Sequence, residues 1–372
     1  MNPAFQRLIG EATRLTQAGD LHAATAVIQS ALGGAAAPPA APARAAPPAA
    51  ADAAAWIIDV DAREVPDAVD PPGAVDPPDA ARPQRGVFVA GSYALAGAGA
   101  RDYKLHLPPA SATGVPLPLV VMLHGCTQDP DDFAAGTRMN EAADERGFVV
   151  LYPAQAAKAN SSRCWNWFKH NHQQRGRGEP ALLAGMTRDV MQRHAIDPQR
   201  VYVAGLSAGG AMAAILGQAY PELYAAIGVH SGLPVGAARD VKTAFEAMQG
   251  SPSAAAGSRA GVMPPTIVFH GDRDATVHPV NGERIVAAAH GSATPAAEEE
   301  RARSNNGRPY TRRSYRDATG RVVAEHWLVH GAGHAWSGGD AGGSYTDAEG
   351  PDATMAMLRF FFAQHGSSPS AA

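Results

Sequence analysis

Between Gly86 and the C-terminus, short apolar runs alternate with segments of helical periodicity. In chain order these are the run PLPLVVMLHG, the helical segment TRMNEAADERG, the run FVVLYPA, the helical segment LLAGMTRDVMQRHAID and the run RVYVAG. Three more runs follow, YAAIGVHSG, TIVFHGD and AEHWLVHG, before a last helical segment, ATMAMLRFFFAQH. Continuous apolar runs are typical of strands buried on both faces, and their alternation with helices is typical of parallel sheets. The sequence therefore predicts an α/β fold with a mostly parallel sheet flanked by helices.

The chain divides by composition into four segments. Residues 1–33 contain two stretches of helical periodicity and predict an αα-hairpin. Residues 34–85 are rich in alanine and proline, which predicts a stiff, mostly unstructured linker. We expect residues 86–366 to form the α/β domain and residues 367–372 to be a disordered tail. Because the hairpin is too small to bury its apolar faces alone, we expect it to dock on the main domain, on a partner, or on its own copy.

Charge and hydropathy exclude several classes of protein. The formal net charge of -4 is spread over both signs, so the sequence has no basic stripe for nucleic acid. No run of about 18 apolar residues is present, so we expect no membrane span. The N-terminus lacks the basic start and continuous apolar stretch of a secretory signal, and this favours the cytoplasm.

Ser207 lies in the pentapeptide GLSAG, directly after the run RVYVAG and directly before the small-residue segment AGGAMAAILGQAY. A strand before and a helix behind are the context in which a GxSxG serine is presented as a nucleophile. Gly205 and Gly209 fit this context, because a tight turn brings the two backbones together. The pentapeptide alone is a weak signal, and a structural serine is the alternative. The flanking strand and helix favour the nucleophile.

A serine nucleophile needs a histidine to accept its proton and a carboxylate to orient that histidine. Of the 14 histidines, His334 lies in the glycine-rich loop of LVHGAGHAWSGG, whereas His330, at the strand end, is expected to be structural. The loop of TIVFHGDRDATVHP offers two carboxylates, Asp272 and Asp274. We interpret Asp274 as the acid, because in such loops the later carboxylate usually reaches the histidine. The order serine, aspartate, histidine is the one that α/β-hydrolases use.

The reaction also needs N–H groups that stabilise the oxyanion formed on the attacked carbonyl. One donor is expected to be the N–H of Ala208, which follows the nucleophile. The loop after the run VVMLHG is expected to supply the second, with Cys126 as the best candidate. Thr127, directly behind Cys126, is an expected substrate contact.

Six motifs together resemble the polyhydroxybutyrate depolymerase family of esterases, which is close to the feruloyl and acetylxylan esterases. In chain order they are GSYALAGAGARDYKLHLPP, VVMLHGCTQDPDDFA, CWNWF, GLSAGGAM, HGDRDATV and GAGHAWSGG. The resemblance runs from about Gly86 to Gln364. It implies an α/β-hydrolase fold, a serine esterase that uses no metal or other cofactor, and catalytic roles for Ser207, Asp274 and His334.

The family pattern also implies a disulfide between Cys126 and Cys164, the two cysteines of the chain. The alternative is a pair of reduced, buried thiols, which a cytoplasmic protein would have. The bond indicates an extracellular or periplasmic compartment, whereas the N-terminus favours the cytoplasm. Both localisations therefore stay open.

Three tryptophans, Trp165, Trp167 and Trp336, fall in loops that we expect near the site. Indole faces suit an apolar acyl chain, an aromatic acid or a polyester repeat. Packing of the loop bases is the alternative role. His170 and His172 do not predict a metal site, because no acidic or cysteine ligand accompanies them at suitable spacing.

These features together predict a serine esterase that hydrolyses polyhydroxybutyrate, or another short-chain hydroxyacid polyester or oligoester, through an acyl-enzyme. Feruloyl or acetylxylan esterase activity on plant polysaccharides, or hydrolysis of small esters, is the alternative. A hypothesis of a different class is that the N-terminal hairpin binds a protein partner or a polymer granule.

Overall fold

The computed structural model describes residues 85–251, 263–291 and 297–366. The predicted hairpin, the predicted linker up to Gln84 and the predicted tail lie outside the described residues. The described residues form these strands: β1 (Val87–Leu95), β2 (Gly99–Leu107), β3 (Leu117–Leu123), β4 (Val149–Pro153), β5 (Ile196–Leu206), β6 (Ala226–His230), β7 (Thr266–Gly271), β8 (Glu298–Arg303), β9 (Pro309–Arg316), β10 (Val322–Val329), β11 (Trp336–Ser337) and β12 (Thr346–Asp347). They also form these α-helices: α1 (Pro130–Thr137), α2 (Met139–Arg146), α3 (Gly178–Arg193), α4 (Ala208–Ala219), α5 (Val241–Met248), α6 (Val280–His290) and α7 (Ala353–Phe362). No helix in this part of the chain is long and apolar enough to cross a membrane.

Ten of the described strands form one sheet, in the order β1-β2-β4-β3-β5-β6-β7-β10-β9-β8. The six central strands, from β4 to β10 in this order, run parallel to one another. An antiparallel pair flanks them on each side, with β1 and β2 at one edge and β9 and β8 at the other. The predicted α/β fold with a mostly parallel sheet is therefore confirmed.

The carboxyl ends of the parallel strands meet at one edge of the sheet, which is where sites form in such folds. The loops after β3, β5, β7 and β10 contain Cys126, Ser207, Asp274 and His334, respectively. The pairing register aligns the ends of these strands; the paired residues are Leu123 with Gly205, Leu206 with His230, His230 with Phe269, and Gly271 with Val329. The topology thus brings the predicted catalytic residues to the same edge.

The core lies on both faces of the sheet. Along β3, Leu119 and Val121 pack in the layer that contains α3 and α4, whereas Val120 and Met122 pack in the layer that contains α1, α2 and α7. Successive side chains of a strand point to opposite faces, so a strand covered on both sides has to be apolar at every position. This is why the run PLPLVVMLHG is continuous rather than alternating.

The periodicity of the sequence does not predict β1, β8, β9, β11, β12, α1, α5 or α6. The hairpin of β8 and β9 has no apolar pattern, because charged side chains dominate it and Glu298, Glu299 and Glu300 are consecutive. Three ion pairs cross from one strand to the other: Glu298 with Arg316, Glu299 with Arg313 and Glu300 with Arg312. The predicted helix TRMNEAADERG begins two residues late, because Arg138 adopts a left-handed conformation (φ 52°) that separates α1 from α2.

Replacement of Phe361 by alanine is expected to lower the free energy of unfolding by about 3–5 kcal/mol, because the ring is fully buried and the cavity cannot close. The ring stacks on Tyr202 at a centroid distance of 5.0 Å. The matched control is Phe245→Ala, since Phe245 is 51% exposed and its loss should change this free energy by no more than about 0.5 kcal/mol. Urea denaturation of both variants measures the difference, and equal losses would contradict the packing described above.

Candidate active site

Ser207 occupies the turn between β5 and α4 in a backbone conformation that few residues adopt. Its φ is 57° and its ψ is -118°, and α4 begins at the next residue, Ala208. A positive φ at a residue other than glycine stores strain, and a strained strand-to-helix turn is typical of a nucleophilic serine. No side chain caps α4, so its N-terminal N–H groups are left to stabilise negative charge.

Two glycines make this turn sterically feasible. A Cβ atom on Gly209 would overlap the carbonyl oxygen of Leu123, and one on Gly205 would lie 2.5 Å from the carbonyl carbon of Gly209. Both separations are shorter than real Cβ atoms show. The GxSxG pattern is therefore a packing requirement of the close contact between α4, β5 and the end of β3.

His334 and Asp274 form a hydrogen-bonded pair. His334 Nδ1 donates to Asp274 Oδ2 at 2.7 Å. The other carboxylate oxygen accepts from the N–H groups of Thr276 and Val277, at 2.9 and 2.8 Å, and this fixes the orientation of the acid. With its proton on Nδ1, a neutral imidazole carries its lone pair on Nε2, the atom that accepts the serine proton in hydrolytic triads.

Asp274 is held in its ionised form although its side chain is buried. Burial raises the pKa of this carboxyl, but hydrogen bonds from His270 and His334, together with the charge of His334, outweigh burial and hold the pKa well below its ordinary value of 3.8. His270 Nε2 lies 3.4 Å from Asp274 Oδ2 and donates to Val277 O at 2.8 Å. The pair can therefore stabilise an imidazolium at His334.

His230, at the end of β6, connects the nucleophile turn to the loop that carries His334. Its backbone oxygen accepts from the Ser207 N–H at 2.9 Å, and its Nε2 accepts from the Ser337 N–H at 2.9 Å. The Trp336 ring stacks on the imidazole at a centroid distance of 5.2 Å. Burial lowers the pKa of His230 to about 3, so the ring stays neutral and Nε2 stays an acceptor. One residue thus holds both the turn of Ser207 and the loop after β10 that contains His334, which we call the base loop.

The loop after β3 passes directly beside the nucleophile. A Cβ atom built on Gly125 would lie 3.7 Å from Ser207 Cβ. The Gly125 N–H donates to Gln128 Oε1 at 2.9 Å, and the Thr127 N–H donates to the backbone oxygen of Ser162 at 2.7 Å. The N–H groups of the residues directly before and after Cys126 are therefore both hydrogen-bonded.

The Cys126 N–H, between these two donors, has no acceptor among the described residues. The same holds for the Ala208 N–H in this part of the chain. Two unengaged N–H groups that follow β3 and the nucleophile are the donors that an oxyanion hole of this fold requires. The geometry is therefore consistent with the predicted assignment of both residues.

The structure bonds Cys126 to Cys164, as the family pattern implies. The bond joins the loop after β3 to the loop CWNWF and closes a ring over a sequence separation of 38. A ring of this size stabilises a fold by about 4 kcal/mol when the effect is taken as lost entropy of the unfolded chain. A second link between the same loops is the hydrogen bond from Trp165 Nε1 to His124 O, at 3.1 Å.

A buried network of polar side chains contacts both the loop after β3 and the loop CWNWF. The Gln155 N–H donates to His124 Nε2 at 3.1 Å, and the Gln155 side-chain amide donates to Glu179 Oε1 at 2.6 Å and to Cys164 O at 3.0 Å. Arg101 Nε donates to Gln155 Oε1 at 2.9 Å. Each buried polar group has a partner here, which is the condition under which such a network makes a site rigid.

Glu179 is the charged centre of this network. Burial raises the pKa of its carboxyl, but hydrogen bonds from His172, Gln155 and Asn166 outweigh burial and lower the pKa below its ordinary value of 4.5. The Asn166 N–H and side-chain amide both donate to Glu179, at 2.7 Å each. The carboxylate therefore holds the loop CWNWF from inside the domain.

The tryptophans pack inside the domain and do not line the site surface. Trp165 is 0% exposed, Trp336 is 1% exposed and donates to Thr354 Oγ1, and Trp167 is 6% exposed. Trp165 and Trp336 have no accessible face and Trp167 has only a small exposed part, so burial favours packing over the predicted contact with substrate. Their bulk fills the base of the loops, which was the alternative role. Thr127 is the exposed member of the predicted contacts.

Asp272 pairs with His330 instead of His334. Its Oδ2 accepts from His330 Nδ1 at 2.9 Å, and its Oδ1 accepts from the Gly331 N–H at 2.7 Å. His330 Nε2 contacts Thr311 Oγ1 at 2.8 Å. This pair joins the loop after β7 that contains Asp274, which we call the acid loop, to the start of the base loop. Asp272 and His330 therefore have structural positions, in keeping with the choice of Asp274 and His334.

Sequence reasoning missed several residues that position the site, namely His230, His270, Gln128, Gln155 and Glu179. His230 is the last residue of β6 and His270 is the second to last of β7, and a histidine at the end of a buried strand is a usable signal. The glutamines and Glu179 belong to no motif. Their roles follow only from tertiary contacts between segments that are distant in sequence.

Asp274→Asn is expected to lower kcat by about 10⁴-fold, because the amide favours the wrong imidazole tautomer and cannot stabilise an imidazolium. Asp272→Asn, the matched control, should retain most of the turnover, since it faces His330. Hydrolysis of p-nitrophenyl butyrate by both variants measures the difference. A larger loss in Asp272→Asn than in Asp274→Asn would exchange the roles of the two acids.

The free energy of unfolding is expected to fall as the pH decreases from about 6.5 to about 4. Burial lowers the pKa of His124 and of His326 to about 4, from an ordinary value of 6.5, and that of His230 to about 3. In this range the unfolded chain binds protons that the folded chain does not, so acid favours unfolding, by up to about 1.4 kcal/mol per pH unit for each histidine. Urea titrations across the range measure the slope, which His326→Leu should reduce; a flat profile would contradict the prediction.

Comparison with known proteins places the chain in a family. Residues 101–291, just over half of the chain, match the family described as "Esterase PHB depolymerase". Poly(3-hydroxyalkanoate) depolymerase C of Paucimonas lemoignei is 34% identical over 249 residues, which cover 62% of this chain and 57% of that protein. Poly(3-hydroxybutyrate) depolymerase of Ralstonia pickettii is 33% identical over 251 residues, which cover 62% of this chain and 50% of that protein. The chain thus spans little more than half the length of these relatives.

The fold has a counterpart among solved structures. An acetyl xylan esterase from Aspergillus awamori matches with a TM-score of 0.57 and 20% identity, over 74% of this chain and 99% of that one. This likeness supports the α/β-hydrolase fold. The match over residues 101–291 shows that the chain belongs to the PHB depolymerase family of esterases.

Proposed function

We propose that the chain is a serine esterase with Ser207 as nucleophile, His334 as general base and Asp274 as the orienting acid. The observation that carries this proposal is the 2.7 Å hydrogen bond between Asp274 and His334, at the sheet edge where Ser207 occupies a strained turn. The Cys126 and Ala208 N–H groups complete the set as donors to the oxyanion. Each of the four roles in acyl transfer, namely nucleophile, base, orienting acid and oxyanion donor, is then assigned to a residue.

The reaction proceeds in two halves. Ser207 Oγ attacks the ester carbonyl carbon while His334 Nε2 takes the hydroxyl proton, and the oxyanion receives hydrogen bonds from the two backbone N–H groups. The tetrahedral intermediate collapses, the C–O bond to the alcohol breaks, and His334 returns the proton to the leaving oxygen. Water then attacks the acyl-enzyme while His334 takes its proton. The C–O bond between the acyl group and Ser207 breaks, His334 returns the proton to Ser207 Oγ, and the acid is released.

We propose further that the substrate is a short-chain hydroxyacid polyester or oligoester of the polyhydroxybutyrate type. Membership of the family and the names of the two bacterial relatives support this choice. The burial of the indoles weakens the alternative of a feruloyl esterase, because Trp165 and Trp336 present no face on which a feruloyl ring could stack. Short aliphatic acyl groups do not need such a platform.

Ser207→Ala is expected to reduce hydrolysis of p-nitrophenyl butyrate and clearing of an amorphous polyhydroxybutyrate suspension by roughly 10⁴-fold or more, because the covalent route is lost. The matched control is Ser92→Ala in β1, an exposed serine that should leave both rates unchanged. Turnover retained in Ser207→Ala would reject the serine mechanism. Aryl ester hydrolysis without clearing by the wild type would keep the mechanism and exclude the solid polymer as substrate.

A further inference from the structure

Residues 338–350, which we call the strap, connect the loop of His334 to α7 and cross to the loop after β3. At one end the strap is fixed to α1. The Ser344 N–H donates to Asp132 Oδ1 at 2.7 Å, and the Gln128 side-chain amide donates to Ser344 O at 3.1 Å. A Cβ atom on Gly343 would lie 2.5 Å from Gly136 Cα, so the two backbones are in close contact.

The other end of the strap is fixed to the turn between β8 and β9. Arg308 forms ion pairs with Asp347, at 2.8 Å, and with Glu349, at 2.6 Å. Asn306 Nδ2 donates to Ala348 O at 2.6 Å, and Ser304 Oγ donates to Glu349 O at 2.5 Å. The segment between these two anchors is therefore held in place on both sides.

Tyr345 lies between the two anchors and faces outward. Its backbone is left-handed, with φ of 52°, and its carbonyl oxygen accepts from the Trp336 N–H at 2.7 Å. The side chain is 47% exposed, in contrast to the buried indoles. A bulky residue at positive φ is an outlier that persists only where surrounding contacts impose it. Here the strap imposes it and projects an aromatic ring from the protein surface.

The Tyr345 hydroxyl lies 3.2 Å from Thr127 Oγ1, at the side of the candidate active site. Thr127 follows Cys126, and the backbone of this loop touches Ser207 at Gly125. Consecutive Cα atoms are about 3.8 Å apart, so Thr127 Cα lies no more than about 13 Å from Ser207 Cβ. A hydroxybutyrate repeat has four backbone bonds and spans about 5 Å, so the ester carbonyls of the next two repeats lie within this distance of the ester that is cleaved.

Of the two hydroxyls, that of Tyr345 is the one whose proton can be redirected to a ligand. Thr127 Oγ1 donates to Cys126 O at 2.5 Å, so its proton is engaged within the loop. Tyr345 then supplies the proton in the contact between the two hydroxyls. Rotation of the phenolic O–H redirects this proton to an acceptor on a bound molecule without movement of the ring. The exposed ring offers an apolar face beside it.

We propose that Tyr345 binds the ester carbonyl of the repeat next to the scissile ester and thereby selects oligomeric hydroxyacid esters over simple ones. The phenolic O–H donates to this carbonyl, and the ring contacts the aliphatic part of the repeat. The inference rests on the proposed function, since it concerns the substrate of the same site. It assigns the residue a contact with substrate that is separate from the reacting atoms.

The test compares two substrates in Tyr345→Phe. One is a 3-hydroxybutyrate trimer, which keeps a second ester beside the one cleaved, and the other is p-nitrophenyl butyrate, which has none. Loss of one neutral hydrogen bond should lower kcat/KM for the trimer by about 3- to 10-fold, mainly through KM, and leave the aryl ester unchanged. Tyr345→Asn keeps a residue that tolerates positive φ but removes the ring, so the trimer should lose more. Tyr315→Phe, on β9, is the control and should change neither.

Equal losses on both substrates would show a structural role for Tyr345, and no loss on either would show that it does not contact substrate; both results overturn the inference. Wild-type rates separate this failure from failure of the proposed function. If the wild type hydrolyses the aryl ester but not the trimer, the polyester assignment fails and the inference fails with it. If it hydrolyses neither, the esterase assignment itself fails.

Discussion

The close contact of α4 with the end of β3 is the constraint on which the rest of the site depends. It requires glycine at 205 and 209, because any side chain would overlap the backbone of Leu123 or of the helix itself. In return it forces Ser207 into a left-handed turn and places the loop after β3 directly beside the serine. The proposed oxyanion donors and the proposed nucleophile are therefore positioned by the same packing contact, and a change in one displaces the other.

The site is rigid because its loops are linked to each other below the surface. His230 holds both the nucleophile turn and the base loop, and the Asp272–His330 pair joins the acid loop to the base loop. Gln155 and Glu179 hold the disulfide-linked loops from within. A buried carboxylate is costly unless it is fully hydrogen-bonded, and Glu179 meets that condition. The result is a set of loops with fixed relative positions, as catalysis of acyl transfer requires.

Features that depend on residues close together in the sequence could be predicted. Buried parallel strands need continuous apolar runs, and the tight turn at Ser207 needs glycines at fixed offsets, so both the sheet and the strand-turn-helix at Ser207 could be predicted. The choice of Asp274 over Asp272 agrees with the hydrogen bonds in the structure. Features that depend on distant contacts could not be predicted. Nothing local tells whether an indole in a loop faces solvent or the core, and Trp165 and Trp336 face the core.

The hairpin of β8 and β9 places a charged strand, β8, at one edge of the ten-stranded sheet. An outermost strand exposes unpaired backbone groups to which the strand of another molecule can add. Along β8 the carboxylates of Glu298, Glu299 and Glu300 are already paired with arginines of β9. An added strand would have to remove water from these charges. The charged hairpin therefore protects this edge of the sheet from pairing with another molecule.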